Sequence, residues 1–155
     1  MTKKGVRETI IRIKIKEIDD GVSLVREHLP LTAQEFGNLG LVKDGIYKRI
    51  EFAIENVFDI CAIINTDLAL GVPGEDEDIL KHLIQNGILS RAMREKIHGM
   101  KGFRNIIVHR YGNIDDDLAF QLLKENIGDF FSFNAEIEKF LEKHHPVAPF
   151  SGPGR

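Results

Sequence analysis

Cysteine is almost missing from this chain: Cys61 stands alone among 155 residues. A single thiol excludes an intrachain disulfide and suits a reducing interior, which points to the cytoplasm. There is no CxxC pair, no Cys/His cluster and no HExxH. The spacings that usually hold zinc are therefore lacking, and neither a metal nor another cofactor is expected. No apolar run is long enough to span a bilayer, so no membrane association is expected. The opening stretch MTKKGVRETIIRIKIKEIDD carries charges throughout, unlike a signal or transit peptide. The strict apolar–polar alternation of strands is scarce too.

What is present is ordinary for a soluble domain: 43% hydrophobic and 29% charged residues. The length fits one domain, which should bury about 68–70% of the surface its unfolded chain exposes. The net charge of −3 hides an asymmetry. Residues 91–110 hold six basic side chains and one acid, whereas the remainder holds 15 basic and 23 acidic ones. A basic segment on an acidic body suits an anionic ligand such as RNA, but it also describes a solvated helix face.

The apolar period is helical nearly throughout. A first helix runs from about residue 6 to Leu29 and stops at Pro30, because the residue before proline disfavours the α region. After Gly37 and Gly40 comes a long helix striped by Val42, Ile46, Ile50, Ile54, Val57, Cys61 and Ile64. Tyr47, Phe52 and Phe58 lie off the centre of that stripe and are available to a second helix or a partner chain. Gly71-Val-Pro-Gly74 reads as a turn. Glu75 and Asp76 then open a short helix that Gly87 stops. Ser90 is the expected N-cap of a fourth helix carrying Met93, Ile97, Met100 and Ile107, ended by Gly112. A last helix is expected from about Leu118 to His144, with a bend at Gly128. These elements predict an all-α, antiparallel up-and-down bundle of four long helices and one short one over residues 1–145. Residues 146–155, rich in Pro and Gly, form a flexible tail.

One residue disturbs the pattern. At about 100° per residue, Arg104 falls within roughly 20° of the centre of its helix's apolar stripe. A guanidinium there needs a buried carboxylate, such as Glu55 or Asp59, or an anionic ligand at a wet interface. His109 lies five residues on, about 140° around the helix, so the two side chains do not converge on a straight helix. Either the helix breaks near His109, or a second copy lies alongside and two Arg–His pairs share one groove. Asn105 shares a face with His109 and could orient the imidazole or touch a phosphate. Lys101 and Arg110 add positive charge nearby, and Tyr111 offers a hydroxyl. The set suits RNA cleavage without metal. Histidine can take the 2′-hydroxyl proton near neutral pH, while arginine's fork holds the phosphate and steadies its growing charge. His28, His82, His98, His144 and His145 read as solvated surface residues.

Arg-Asn-Ile-Ile-Val-His-Arg-Tyr (104–111) resembles the R-x4-H-x-Y motif of the HEPN superfamily, most closely its HepT-like toxin branch. The similarity covers about residues 8–142 and includes the long second helix, the acid-led short helix and the acidic turn after the tyrosine. The resemblance implies a homodimer with Arg104 and His109 as catalytic residues across the dimer cleft. It implies RNA as substrate and Asn105 as the polar position that follows the arginine. It also implies that Tyr111 is open to adenylylation by a minimal nucleotidyltransferase antitoxin of MntA type. The leading expectation is thus a metal-independent RNase toxin of a toxin–antitoxin pair. The alternative is a non-catalytic HEPN module that binds a nucleotide or supports a nucleotidyltransferase. A purely structural dimer subunit is the third possibility.

Overall fold

The structure is a computed structural model that describes residues 5–109 and 113–144, His109 by its backbone alone. Seven helices follow one another among the described residues: α1 (Glu8–His28), α2 (Ala33–Gly37), α3 (Leu41–Asp67), α4 (Asp76–Gln85), α5 (Arg91–His109), α6 (Asp116–Asn126) and α7 (Gly128–His144). None is long and apolar enough to cross a membrane. The all-α bundle expected from the sequence is the architecture observed.

The long helices run antiparallel, as the cross-links show. On α1, Arg7 pairs with Asp67 and Lys14 with Asp59, so its start lies beside the end of α3. On α7, Asn134 donates to the Ile15 carbonyl while the Phe131 ring takes the Arg26 guanidinium at 4.6 Å. The core fills with branched aliphatic side chains from α1 (Ile11, Ile18, Val22) and α3 (Ile50, Ile54, Ile60, Ile64), closed by Phe133 of α7. Cys61 lies in this core, and burial pushes its thiol well above the ordinary range.

Several ends form for the reasons the sequence gives. Leu29 leaves the helical region ahead of Pro30. Gly87 takes φ 75° and stops α4, a left-handed position that costs glycine little. Ser90 accepts from the Met93 amide at 3.2 Å, the N-cap bond expected of it.

Two elements depart from expectation. The stretch between Pro30 and Gly40 is not a plain connection. Thr32 and Glu35 form a reciprocal capping box that starts α2, and its Phe36 is fully buried. Thr32→Ala should cost about 0.5–2 kcal/mol, read as a lower urea midpoint with unchanged slope. The expected last helix is two helices, broken at Ile127. The first begins at Asp116, two residues before the expected start, and Asp115 caps it, accepting from the Leu118 amide at 3.1 Å. The break lets α6 pack on α2 while α7 packs on α1.

Two histidines expected at the surface are anchored. His82 Nδ1 bonds Asn65 Oδ1 at 2.8 Å, and Asn65, buried, donates to the Gly71 carbonyl at 3.0 Å. The His82 ring packs so close to Gly71 that a Cβ there would meet it at 2.6 Å. His98 Nε2 lies 2.6 Å from Glu77 Oε1, tying α5 to α4.

Candidate active site

The helix that carries Arg104 is buried along one face only. Met93, Ile97, Met100, Phe103 and Ile107 bury one face of α5. Phe103 takes the core-facing place in the penultimate turn, so Arg104, central by periodicity, is only partly buried. Its guanidinium lies over the half-buried Phe58 ring of α3, 5.1 Å from the centroid. Such a contact is worth about 0.5–1 kcal/mol where solvent reaches it, and it leaves the charge unneutralised. Among the described residues no carboxylate pairs with Arg104. Of the two candidates, Asp59 is taken by Lys14 at 3.2 Å and Glu55 is exposed. The buried-ion-pair explanation of Arg104 therefore fails.

α5 is helical through His109, its last residue. Arg104 and His109 thus stand on one continuous helix, about 140° apart around its axis. Asn105 is exposed beside Arg104. The His109 side chain, Arg110, Tyr111 and Gly112 lie outside the described residues.

The basic segment is less free than its composition suggests. Arg94 pairs with Glu77, Lys96 with Asp129 at 3.5 Å, and Lys101 with Asp76 at 4.0 Å. The Glu77 carboxyl, held by His98 and then Arg94, titrates below its ordinary value. The acids of α4 and α7 thereby offset much of the α5 charge, and Arg104 keeps its own.

Beside the end of α5 opens a groove of about 790 Å³ that the sequence did not disclose. Ile107 and Val108 of α5, Ile114, Tyr47 and Glu51 line it, with Asp116 at one edge. Tyr47 donates its hydroxyl hydrogen bond to Asp116 at 2.6 Å, and Lys43 pairs with the other carboxylate oxygen at 2.6 Å. Periodicity placed Tyr47 off the α3 stripe, and Asp116 sat in the acidic turn after the motif. Each was visible as a residue without a role. Only the fold joins them.

The profile of the family described as "Ribonuclease HepT-like" matches residues 18–142. This chain belongs to that family. Among curated relatives it is similar to the mRNA nuclease HepT of Shewanella oneidensis, 27% identical over 92 residues, which are 59% of this chain and 69% of that one. Among solved structures it resembles a tri-AMPylated HEPN toxin of the same organism in complex with an MNT antitoxin. The TM-score is 0.74, with 25% identity over 84% of this chain and 97% of that one. The Bacillus subtilis cytosolic protein YutE superposes at TM-score 0.78 with 16% identity, covering 95% and 99% of the two chains, a likeness of fold. The family assignment agrees with the resemblance carried by residues 104–111.

Proposed function

We propose that this HepT-like chain is a metal-independent RNase toxin that works as a homodimer, with Arg104 and His109 as its catalytic residues. The observation that carries the reading is the Arg104 guanidinium, held against the Phe58 ring with no carboxylate partner among the described residues, inside the stretch that the family profile matches. A charge held against a ring face, rather than by a carboxylate, is ready for a phosphate.

In this reading the His109 imidazole takes the proton from a ribose 2′-hydroxyl, and the freed oxygen attacks the adjacent phosphorus. Arg104 donates to the phosphoryl oxygens as negative charge grows on them. The bond to the 5′-oxygen breaks, and that oxygen leaves with a proton supplied by an imidazolium or water. A 2′,3′-cyclic phosphate and a 5′-hydroxyl end result. Because positions 104 and 109 lie about 140° apart around one helix, the complete pair is formed with a second copy laid alongside. Val108 and Phe52, large apolar residues exposed on α5 and α3, suit such a face. Asn105, Lys101 and Arg110 serve as substrate contacts. Tyr111 serves as the residue a nucleotidyltransferase antitoxin adenylylates, a partnership supported by the MNT complex of the Shewanella toxin.

The test is cleavage of total cellular RNA by purified protein with a chelator present, beside Arg104→Ala. Wild type is expected to cleave and to leave cyclic phosphate ends. Arg104→Ala should lose about 10²–10³-fold in rate, as when one charge-stabilising donor is removed. Absence of cleavage by folded protein whose mass shows no added nucleotide would overturn the reading in favour of a binding module.

A further inference from the structure

The groove beside the end of α5 adjoins Arg104, yet it does not suit a phosphate. Ile107 and Val108, which line it, stand three and four residues after Arg104 and are its neighbours on the helix surface. The lining counts Lys43 and Lys48 against Asp44, Glu51 and Asp116, one negative charge in excess. An anion gains nothing from such a lining. A neutral ring does, because Ile107, Val108 and Ile114 supply apolar walls and the carboxylates supply acceptors.

Those acceptors are not equally free. The joint of Tyr47, Lys43 and Asp116 uses both oxygens of Asp116. Burial, and then the Asp116 carboxylate, push the Tyr47 hydroxyl above its ordinary value, so it stays a donor to Asp116. Asp44 is exposed, and water competes for it. Glu51 differs. Its side chain is only 18% exposed, yet its one partner among the described residues is Lys48, 3.5 Å from Oε1 and itself 78% exposed. A largely covered carboxylate with so loose a partner is poorly compensated, and N–H donors brought to it bind more strongly than they would at the surface. Glu51 stands two turns before Phe58 on α3, about 10 Å along the axis, and the Phe58 ring carries the Arg104 guanidinium. One nucleotide spans such a distance from phosphate to base edge.

We propose that this groove is a nucleobase subsite in which Glu51 selects guanine while Arg104 holds an adjoining phosphate. The proposal deepens the RNase reading above and rests on it. Guanine alone among the four bases offers two adjacent donors, N1–H and the N2 amino group, to the two oxygens of one carboxylate. Adenine and cytosine set their amino group beside a ring nitrogen that a carboxylate repels. Uracil has a single N–H between two carbonyls.

The experiment compares wild type with Glu51→Gln and, as a remote control, Asp20→Asn, which breaks an exposed α1 pair. The probes are oligouridylates carrying one central guanosine, inosine or adenosine, and their all-deoxy counterparts, which lack the attacking 2′-hydroxyl. Cleavage gives kcat/KM for each RNA. The deoxy strands give dissociation constants and the shifts of the Ile107, Val108 and Ile114 methyl resonances by NMR. Wild type is expected to favour guanosine over adenosine by about 10–10²-fold in kcat/KM, with inosine, which lacks the N2 amino group, in between. The deoxy strands should follow the same order of affinity and move those methyls. Glu51→Gln should bring the guanosine-to-adenosine ratio close to 1, and Asp20→Asn should keep the wild-type ratio. Equal cleavage beside all three bases, or a guanine preference that survives in Glu51→Gln, would overturn the proposal. If wild type cleaves nothing, the RNase reading falls by itself, and the deoxy strands still decide: equal affinities or unmoved methyls overturn the subsite. Methyls moved by a tetra-arginine peptide and by no oligonucleotide would make the groove a seat for a cationic protein segment instead.

Discussion

Replacing His109 with alanine is expected to slow RNA cleavage by about 10²–10⁴-fold, the usual contribution of a general base. A base must be neutral to accept a proton. Activity of the wild type should therefore rise with pH through the ordinary histidine value, about 6.5, and level off above it. A rate flat from about pH 5 to 8 would remove His109 from that role. The geometry adds a sharper test. α5 is one unbroken helix through His109, so the backbone positions of Arg104 and His109 in a single chain lie about 140° apart around its axis. If each working pair takes its arginine from one copy and its histidine from the other, two dead variants should rescue each other. Mixing Arg104→Ala with His109→Ala through unfolding and refolding would create dimers in which one pair is whole. Recovery of part of the wild-type rate is expected. Continued silence from a mixed dimer shown by mass spectrometry to have formed would mean that each pair is built within one chain.

Phe36→Ala should cost about 3–5 kcal/mol of stability. Phe36 is fully buried, with Tyr47 edge-on at 5.7 Å and Phe120 tilted at 5.5 Å. It is the one buried residue of α2, so its loss removes the reason for a five-residue helix to dock. Domains of this kind are stable by about 5–15 kcal/mol, so the change takes a large share. Chemical denaturation should show a lower midpoint, and proteolysis should strike first between Pro30 and Gly40. A loss under about 1 kcal/mol would mean that Tyr47 and Phe120 close over the gap.

Acid exposes a smaller effect. The Glu77 carboxyl titrates below its ordinary value because His98 and Arg94 hold it, so it favours the folded state above that ordinary value. Its help fades as pH falls through the lowered folded value. Glu77→Gln should flatten the acid side of the melting curve, modestly, because the group is well exposed.

The sequence was most legible where apolar residues recur at helical spacing over several turns. α1, α3, α4 and α5 declared themselves, with Pro30, Gly87 and Ser90 as punctuation. α2 did not, because five residues with one apolar side chain have no period to read. Its signal was local: Thr32 and Glu35 form the capping-box spacing. The α6–α7 break was half legible. Gly128 was visible as a bend, but the two halves separate because they pack on different helices, which periodicity does not encode. At the candidate site, Arg104 drew attention as a charge on an apolar stripe. Its true setting depends on Phe103 next door taking the core position, a choice made by packing. The joint of Tyr47, Lys43 and Asp116 was out of reach, since its members stand 69 and 73 residues apart in the chain.

The solitary thiol of α3 has a use of its own. Cys61 is sealed within the core, and burial holds it in the unreactive protonated form. A thiol-directed reagent can reach it only when the bundle opens. Its labelling rate is then a clock for that opening, readable without an engineered probe. A nucleotide, an RNA or a second protein that stabilises the closed bundle would slow the clock. The same flask could thus report binding by partners that leave the shape of the protein unchanged.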